Sequence, residues 1–219
     1  MGDPLELAYR VATMYVPFMF ALCFHEFAHG WMALKKGDPT AQQMGRLSMN
    51  PVVHADMVGT VVLPLMALLF ASPIFFGWAK PVPFNPRNLS NPKVDSFWIA
   101  LAGPLSNVLL AVVSTALIFF FAHFMPPASW KNAAITLLNF FIQINLFLAF
   151  FNMIPLHPLD GGKVLARYLP HHINAKLEEN EMMSGILLLI LILTGALAIL
   201  AIPVQITHRL LINLALWGF

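Results

Sequence analysis

Long apolar runs separated by short polar stretches divide this chain, and each run predicts a helix. Three of them, at residues 7–34, 96–124 and 133–154, are long enough for transmembrane helices, since about 20 apolar residues cross the hydrocarbon core of a bilayer. The second and third of these contain no Asp, Glu, Lys or Arg. A fourth run, at about 182–202, is also predicted to span.

A further apolar run at 57–76 can be assigned in two ways because Pro64 and Pro73 interrupt it. It fits either a full span or a re-entrant hairpin that returns to the side from which it started. The next ten residues, 77–86, contain three prolines at spacings that forbid a helix, so they predict an extended chain.

The distribution of basic residues favours the re-entrant alternative. If 57–76 returns to the same side, nine of the twelve Lys and Arg residues share that side, which the positive-inside rule assigns to the cytoplasm. These nine are Lys35, Lys36, Arg46, Lys80, Arg87, Lys93, Lys163, Arg167 and Lys176. A full span would divide the group between the two sides.

The C-terminal pattern predicts one span followed by a tail. Pro203 is expected to interrupt the helix before a short amphipathic stretch, 204–219, in which Arg209 argues against an independent span. Taken together, the runs predict an all-α polytopic membrane protein with five to six transmembrane or re-entrant helices.

Composition agrees with a membrane protein and excludes several functions. Hydrophobic residues make up 59% of the 219 residues, charged residues 10%, and the mean hydropathy is +0.75. The net charge of +2 comes without a basic patch, so we expect no nucleic-acid partner. The single cysteine, Cys23, excludes an intrachain disulfide and a cysteine-based metal site. The acidic start of the chain predicts that the first apolar run is retained rather than cleaved as a signal peptide.

The candidate chemistry begins with a His-Glu-x-x-His sequence inside the first apolar run. His25 and His29 are four residues apart, so on a helix both imidazoles can point at one metal ion. Glu26 lies between them and can take a proton from a water molecule at that metal. An ionisable group at this depth in a span is costly, which also favours a functional role.

Two histidines do not complete a catalytic zinc site, which usually takes three protein ligands. No third candidate follows His29 on the same helix. Asp160 is the best alternative, because it follows the run at 133–154 in a stretch broken by proline and flanked by glycine. By itself, the sequence Asp160-Gly161-Gly162 is also typical of an ordinary turn.

Three sequence elements in this order resemble the site-2 protease family of intramembrane metalloproteases. The residues 25–29 resemble its HExxH motif, and 152–161 (NMIPLHPLDG) resembles its NxxPxxxxDG element. Between them, Ala102-Gly103-Pro104-Leu105-Ser106-Asn107 is similar to its GxxxN element. The resemblance covers about residues 15–165.

The resemblance implies one zinc ion per chain, bound by His25, His29 and Asp160, with Glu26 as general base and acid. It implies a three-helix catalytic core with a small re-entrant β segment, and water reaching the metal from the cytoplasmic side. The chain would be one membrane-embedded domain, 1–219, with a catalytic core at about 7–165 and C-terminal helices at 182–219. We expect the compact form of the family, without a PDZ or CBS domain.

The same resemblance implies the biological setting. The substrate would be a single-span membrane protein that is cleaved in or near its transmembrane segment, as in regulated intramembrane proteolysis. Its selection would depend either on a prior cut by another protease or on a partner. The enzyme would be a multi-pass protein of a prokaryotic cytoplasmic membrane, surrounded by the lipid bilayer.

Several polar residues are candidates for substrate binding or support of the active site. The extended stretch 78–85 is expected to hold an unwound substrate. Polar amides in apolar helices either join helices or support the zinc site, and two of them fall on family motif positions. The candidates are Trp78, Lys80, Val82, Asn107, Asn145 and Asn152. His54 is either an ordinary surface or capping histidine or an additional metal or gating ligand.

Two other functions remain open at the level of sequence. A membrane metal-binding or transport protein would use the histidines as a transit site, but it would need further ionisable residues along a path, and the runs at 96–124 and 133–154 contain no Asp, Glu, Lys or Arg. A membrane hydrolase acting on lipid or prenylated substrates is compatible with the composition.

Overall fold

The computed structural model describes residues 4–70 and 76–217, and helices dominate both parts. Four helices in them are long and apolar enough to cross a membrane. They are α1 (Pro4–Lys35), α3 (Pro92–Phe124), α4 (Lys131–Asn152) and α8 (Ala196–Ala215). The shorter helices include α2 (Met57–Leu69), α5 (Asp160–Ala166), α6 (His171–Glu179) and α7 (Glu181–Leu193), and single helical turns occur at Thr40–Gln43, Pro51–His54 and Pro86–Asn88.

Helix α3 is the centre of the molecule and packs along both α1 and α4. Small residues such as Ala100, Gly103 and Ala111 lie on its buried faces, so neighbouring helices approach closely. Helix α5 also contacts α3, and α8 packs against α3 and α4 through a cluster that includes Ile118, Leu146 and Val204. The three-helix core predicted from sequence is therefore present as α1, α3 and α4.

The chain after α2 returns to the point where α2 begins. The N–H of Trp78 donates to the carbonyl of Gly59 at 3.2 Å, and the N–H of Lys80 donates to that of His54 at 2.8 Å. Further along, Lys36 at the end of α1 forms an ion pair with Asp95 in the first turn of α3 at 3.2 Å. The two ends of the 57–76 run thus lie side by side, as the re-entrant alternative requires.

The predicted β segment is wrong for the described residues. Residues 77–85 are extended but form no strand. Pro81 and Pro83 have no N–H to donate, and the carbonyls of Lys80 and Pro81 are bound by the side chain of Arg46, at 2.6 and 3.3 Å. The segment is therefore fixed by side chains rather than by a ladder.

The predicted boundaries of the C-terminal helices are also wrong. The run at 182–202 is broken after α7 by a turn in which Gly195 has a φ of 74°, a left-handed conformation that suits glycine. Pro203 does not interrupt a helix. It lies in the first turn of the α-helical part of α8, Ala201–Ala215, where the missing N–H would have no intrahelical partner in any case.

Candidate active site

Two histidines of α1 and one carboxylate of α5 meet beside α3. The Nε2 atoms of His25 and His29 are 3.0 Å apart. Asp160 Oδ2 lies 3.1 Å from the first and 3.2 Å from the second. In the described part of the chain, this is the group of His, Cys, Asp and Glu side chains that could hold a metal ion.

The far side of each imidazole is fixed by α3. His25 Nδ1 donates to Asn107 Oδ1 at 2.6 Å, and His29 Nδ1 donates to the carbonyl of Ile99 at 2.7 Å. Because each Nδ1 carries the proton, each Nε2 keeps its lone pair for a metal. Helix α3 thus sets the tautomers that a pair of metal-binding histidines requires.

A second amide fixes the orientation of the first. Asn107 Nδ2 donates to Asn145 Oδ1 at 2.9 Å and to the carbonyl of Ala21 at 3.3 Å, and Asn145 Nδ2 donates to the carbonyl of Phe141 at 2.8 Å. Asn107 and Asn145 are both fully buried. With two acceptors on its NH2 group, Asn107 must turn its oxygen toward His25.

Gly103 permits the close approach of α3 to the histidines. A Cβ atom at this position would lie 2.5 Å from the Nε2 atoms of both His25 and His29, in the space that a metal and its ligands need. At the glycine of the GxxxN element, a side chain would therefore clash with the histidines. Asn107, one turn later, is needed because it accepts the hydrogen bond from His25.

Asp160 begins α5, and the glycine after it lets that helix pack on the end of α4. A Cβ at Gly161 would clash with the carbonyl oxygen of Ile154, just beyond the end of α4. Asp160 Oδ2 is turned toward the Nε2 atoms of both histidines, so the three atoms converge on one point.

Glu26 is nearly buried and is held by the extended segment. Its Oε2 accepts a hydrogen bond from the N–H of Val82 at 2.8 Å, which leaves Oε1 as the oxygen that can accept a proton. The segment is anchored further along, where the N–H of Asn85 donates to Asp38 Oδ2 at 2.6 Å. The loops at the end of α1 thus position Val82, and Val82 positions Glu26.

These groups line a cavity of about 390 Å³. Its polar lining includes Glu26, the two histidines and Asp160, together with Asn152, Lys163 and Glu181, and most of the rest is apolar. A mostly apolar cavity with a few convergent polar groups is typical of an enzyme site.

The other sequence candidates have separate environments. Trp78, Val82 and Asn152 line the cavity beside the two histidines, although the Asn152 amide donates to its own helix at Leu148 O, 3.0 Å away. Lys80 does not line it. His54 is not part of the ligand group among the described residues, and its Nε2 bonds to the carbonyl of Ser48 at 2.7 Å.

Sequence reasoning missed Arg46 and Asp38, which hold the extended segment in place. Asp38 follows a Lys-Lys-Gly stop signal and precedes Pro39, so its local pattern indicates only a turn. Arg46 is almost fully buried, which no local pattern reveals. Both act over more than 30 residues of sequence.

The three ligand atoms suit zinc. A tetrahedral zinc ion with bonds of about 2.0–2.1 Å separates its ligand atoms by about 3.3–3.4 Å. The three observed separations of 3.0–3.2 Å need only a small expansion to meet this. Two neutral imidazoles and a carboxylate also leave a fourth position open, as catalytic zinc sites do. The fold and the site thus define a polytopic membrane protein with a buried centre of the metallohydrolase kind.

Comparison with known proteins gives the family. The model of Peptidase family M50 matches residues 121–193, which include Asp160. The chain is 35% identical over 194 residues to "Putative zinc metalloprotease YwhC" of Bacillus subtilis, covering 87% of this chain and 83% of that protein. It is 25% identical over 179 residues to a relative named Rip2 in Mycolicibacterium smegmatis, covering 82% and 66%. A 70-residue stretch is 50% identical to a Methanocaldococcus jannaschii relative, covering 31% of each chain. No solved structure matches the chain.

This chain belongs to peptidase family M50, the site-2 protease family of zinc metalloproteases. It is a multi-pass membrane enzyme with zinc as its cofactor.

Proposed function

We propose that this enzyme hydrolyses a peptide bond in or near the transmembrane segment of a single-span membrane protein, as a step of regulated intramembrane proteolysis. The observation that carries the proposal is the triangle of His25, His29 and Asp160 ligand atoms, 3.0–3.2 Å apart, within a helical core that is apolar enough to cross a membrane.

His25, His29 and Asp160 are the proposed zinc ligands, and Glu26 is the proposed general base and acid. Zinc held there would polarise the scissile carbonyl and acidify the attacking water. Glu26 Oε1 takes a proton from that water and delivers it to the leaving amine nitrogen, while the Val82 N–H keeps Oε2 in place. Trp78 and Val82 face the substrate chain from the cavity wall.

We propose that the active site opens to the cytoplasm of a prokaryotic cell. Asp160 and the C-terminal end of α1 lie at the end of the molecule where Lys36 pairs with Asp95 and where Lys93 reaches the Leu169 carbonyl at 3.1 Å. Nine basic residues belong to the loops at this end, which favours the cytoplasmic side. We further propose that another protease has already removed the bulky soluble domain of the substrate before its transmembrane segment reaches this cavity.

We also propose that residues 1–219 form one membrane-embedded protease domain with its core at about 7–165. The packing of α8 against α3 and α4 supports this, because it joins the C-terminal helices to the core through Ile118, Ile142 and Val204.

The test compares wild type, Glu26→Gln and Asp160→Ala, purified in detergent or bilayer, on a single-span model substrate. Glu26→Gln should lower kcat at least about 100-fold with zinc still bound, because only the proton acceptor is lost. Asp160→Ala should lose zinc as well as activity. Exposed Glu179→Gln is the matched control and should behave as wild type.

Cleavage that persists in Glu26→Gln would contradict the general-base role, and unchanged zinc in Asp160→Ala would contradict the third ligand. Hydrolysis of lipid esters or prenylated peptides in place of the single-span substrate would favour the membrane-hydrolase alternative. Metal uptake into vesicles without proteolysis would favour transport.

A further inference from the structure

A second cavity of about 500 Å³ adjoins the catalytic one. It lies between α1, α4 and α8, and four of its lining residues also line the catalytic cavity: Phe76, Gly77, Leu148 and Phe151. The two cavities therefore share a wall, and a molecule bound in the second cavity would lie directly beside the first.

Three polar side chains line this otherwise apolar cavity: Gln143 from α4, and Gln205 and His208 from α8. Both glutamines are exposed, and no described residue hydrogen-bonds to either amide. The buried Nε2 of His208 has no partner among the described residues either. We call these three side chains the amide–imidazole group.

The two glutamines lie at mid-span. Gln143 is near the middle of Lys131–Asn152, and Gln205 is near the middle of Ala196–Ala215. At this depth lipid tails offer no hydrogen-bonding partner, so an unpaired amide is costly and is expected to face a polar ligand. Two such amides on adjacent helices converge on the same cavity.

We propose that the amide–imidazole group binds the backbone of a substrate's transmembrane segment where it unwinds on its way to the catalytic cavity. This inference rests on the proposed proteolysis of membrane-spanning segments. It assigns the second cavity to substrate binding rather than to lipid.

The chemistry of the molecule that binds here follows from the mid-bilayer position of the two glutamines and from the adjoining catalytic cavity. Phospholipid headgroups lie at the membrane interface, and acyl chains have neither donors nor acceptors. An unwound peptide brings both to mid-bilayer, because each helical turn that opens frees N–H and C=O groups that lipid cannot satisfy. Primary amides donate and accept, so Gln143 and Gln205 can replace the lost hydrogen bonds of either kind.

The first experiment measures kcat/KM on the single-span model substrate for the zinc-loaded double variant Gln143→Leu/Gln205→Leu. We expect a loss of about tenfold or more, the effect of removing two neutral hydrogen bonds, with zinc content unchanged. The matched control is Asn139→Leu, which removes an amide of the same helix that bonds only to its own Ile135 carbonyl and lines neither cavity. Equal kcat/KM in the double variant and wild type, or an equal loss in the control, would overturn the proposal.

A second experiment reads binding without catalysis. A photo-cross-linking residue is placed at Ile144, which lines the second cavity, in the Glu26→Gln enzyme, and at exposed Leu137 as the control site on α4. The proposal predicts substrate cross-links from Ile144 and not from Leu137. Cross-links to phospholipid alone, or none to substrate, would overturn it. This result stands even if the double variant fails to fold, and it is separate from the Glu26 test because it does not depend on cleavage.

Discussion

At the scale of single residues, the site depends on which atom of each imidazole is left free. His25 and His29 give their Nδ1 protons to α3, so their Nε2 atoms converge on Asp160 Oδ2. The orientation of the Asn107 amide decides which nitrogen of His25 carries the proton. The acceptor oxygen of Asn145 in turn helps to fix the orientation of the Asn107 amide. Asn145 therefore acts on the metal site through another residue, without contacting it.

We predict that Asn145→Leu weakens zinc binding about tenfold, the lower end of the range for residues that orient metal ligands. The substitution removes an acceptor from Asn107, so its amide can turn and His25 no longer has one favoured tautomer. Zinc affinity is measured by competition with a chelator. Asn139→Leu serves as the control, and an affinity equal to wild type in Asn145→Leu would contradict the relay.

Residue-level prediction from sequence succeeded where local spacing carries the geometry. The interval between His25 and His29 places both rings on one face of a helix, and Gly103 with Asn107 follows the same logic on α3. The joining of Asn107 to Asn145 could not be foreseen, because it depends on how two apolar helices are rotated against each other. Arg46 was missed because no local pattern reveals its burial or its hydrogen bond to the Lys80 carbonyl, 34 residues away.

At the scale of elements, the extended segment 77–85 connects the loops after α1 to Glu26, the proposed general base. Asp38 is its anchor at the far end. The carboxylate accepts hydrogen bonds from Asn85 N–H at 2.6 Å, from Asn88 Nδ2 at 2.7 Å and from Thr40 Oγ1 at 2.5 Å. Losing this anchor is expected to loosen the segment that carries Val82.

Asp38 should make stability depend on pH. Burial raises the pKa of its carboxyl, but the hydrogen bonds from Thr40, Asn88 and Asn85 lower it more, so the folded pKa lies below the unfolded one. A depressed pKa stabilises the fold above the pH at which an ordinary aspartate is protonated, about 4, and this contribution is lost as the pH falls further. We predict that Asp38→Asn lowers the thermal midpoint at pH 7 and that the difference from wild type shrinks at lower pH.

The measurement is the unfolding midpoint of both proteins in detergent, from neutral to acidic pH. Charged hydrogen bonds of this kind contribute about 1.5–3 kcal/mol each, so a difference at pH 7 should be readily seen. A gap between the two midpoints that widens on acidification would contradict the sign. Asp56→Asn is a useful comparison, because Asp56 caps only its own helix through the N–H groups of Val58 and Gly59.

Element-level prediction was weaker near prolines. Pro203 reads as an interruption when only the run of apolar residues is considered, yet a proline in the first turn of a helix removes no hydrogen bond. For residues 77–85, the extended chain was predicted correctly but the β strand was not. The Lys80 carbonyl and the Val82 N–H, which a strand would use for pairing, are bound instead by the side chains of Arg46 and Glu26.

At the scale of the whole molecule, topology decides which loops share a membrane side. The end of α1 and the start of α3 are joined by the Lys36–Asp95 ion pair, although 56 residues of loop and re-entrant chain lie between Lys35 and Pro92. Lys93 also reaches the Leu169 carbonyl in the loop after α5. These contacts gather at one end of the bundle, and the turn between α3 and α4 lies at the other.

This arrangement predicts the accessibility of single cysteines introduced into a Cys23→Ser protein, in which the buried native thiol is removed. Gln43→Cys and Arg87→Cys, which lie before and after the 57–76 run, should react with a membrane-impermeant maleimide from the same side, the cytoplasmic one, and Ser129→Cys from the opposite side; all three positions are exposed. Labelling is compared between intact cells and inverted vesicles. If 57–76 crossed the bilayer once, the sidedness of Arg87→Cys would be opposite to that of Lys36, yet Lys36 is paired with Asp95 on the same end as Arg87. Reaction of Gln43→Cys and Arg87→Cys from different sides would therefore contradict both the re-entrant path and the packing of α1 against the start of α3.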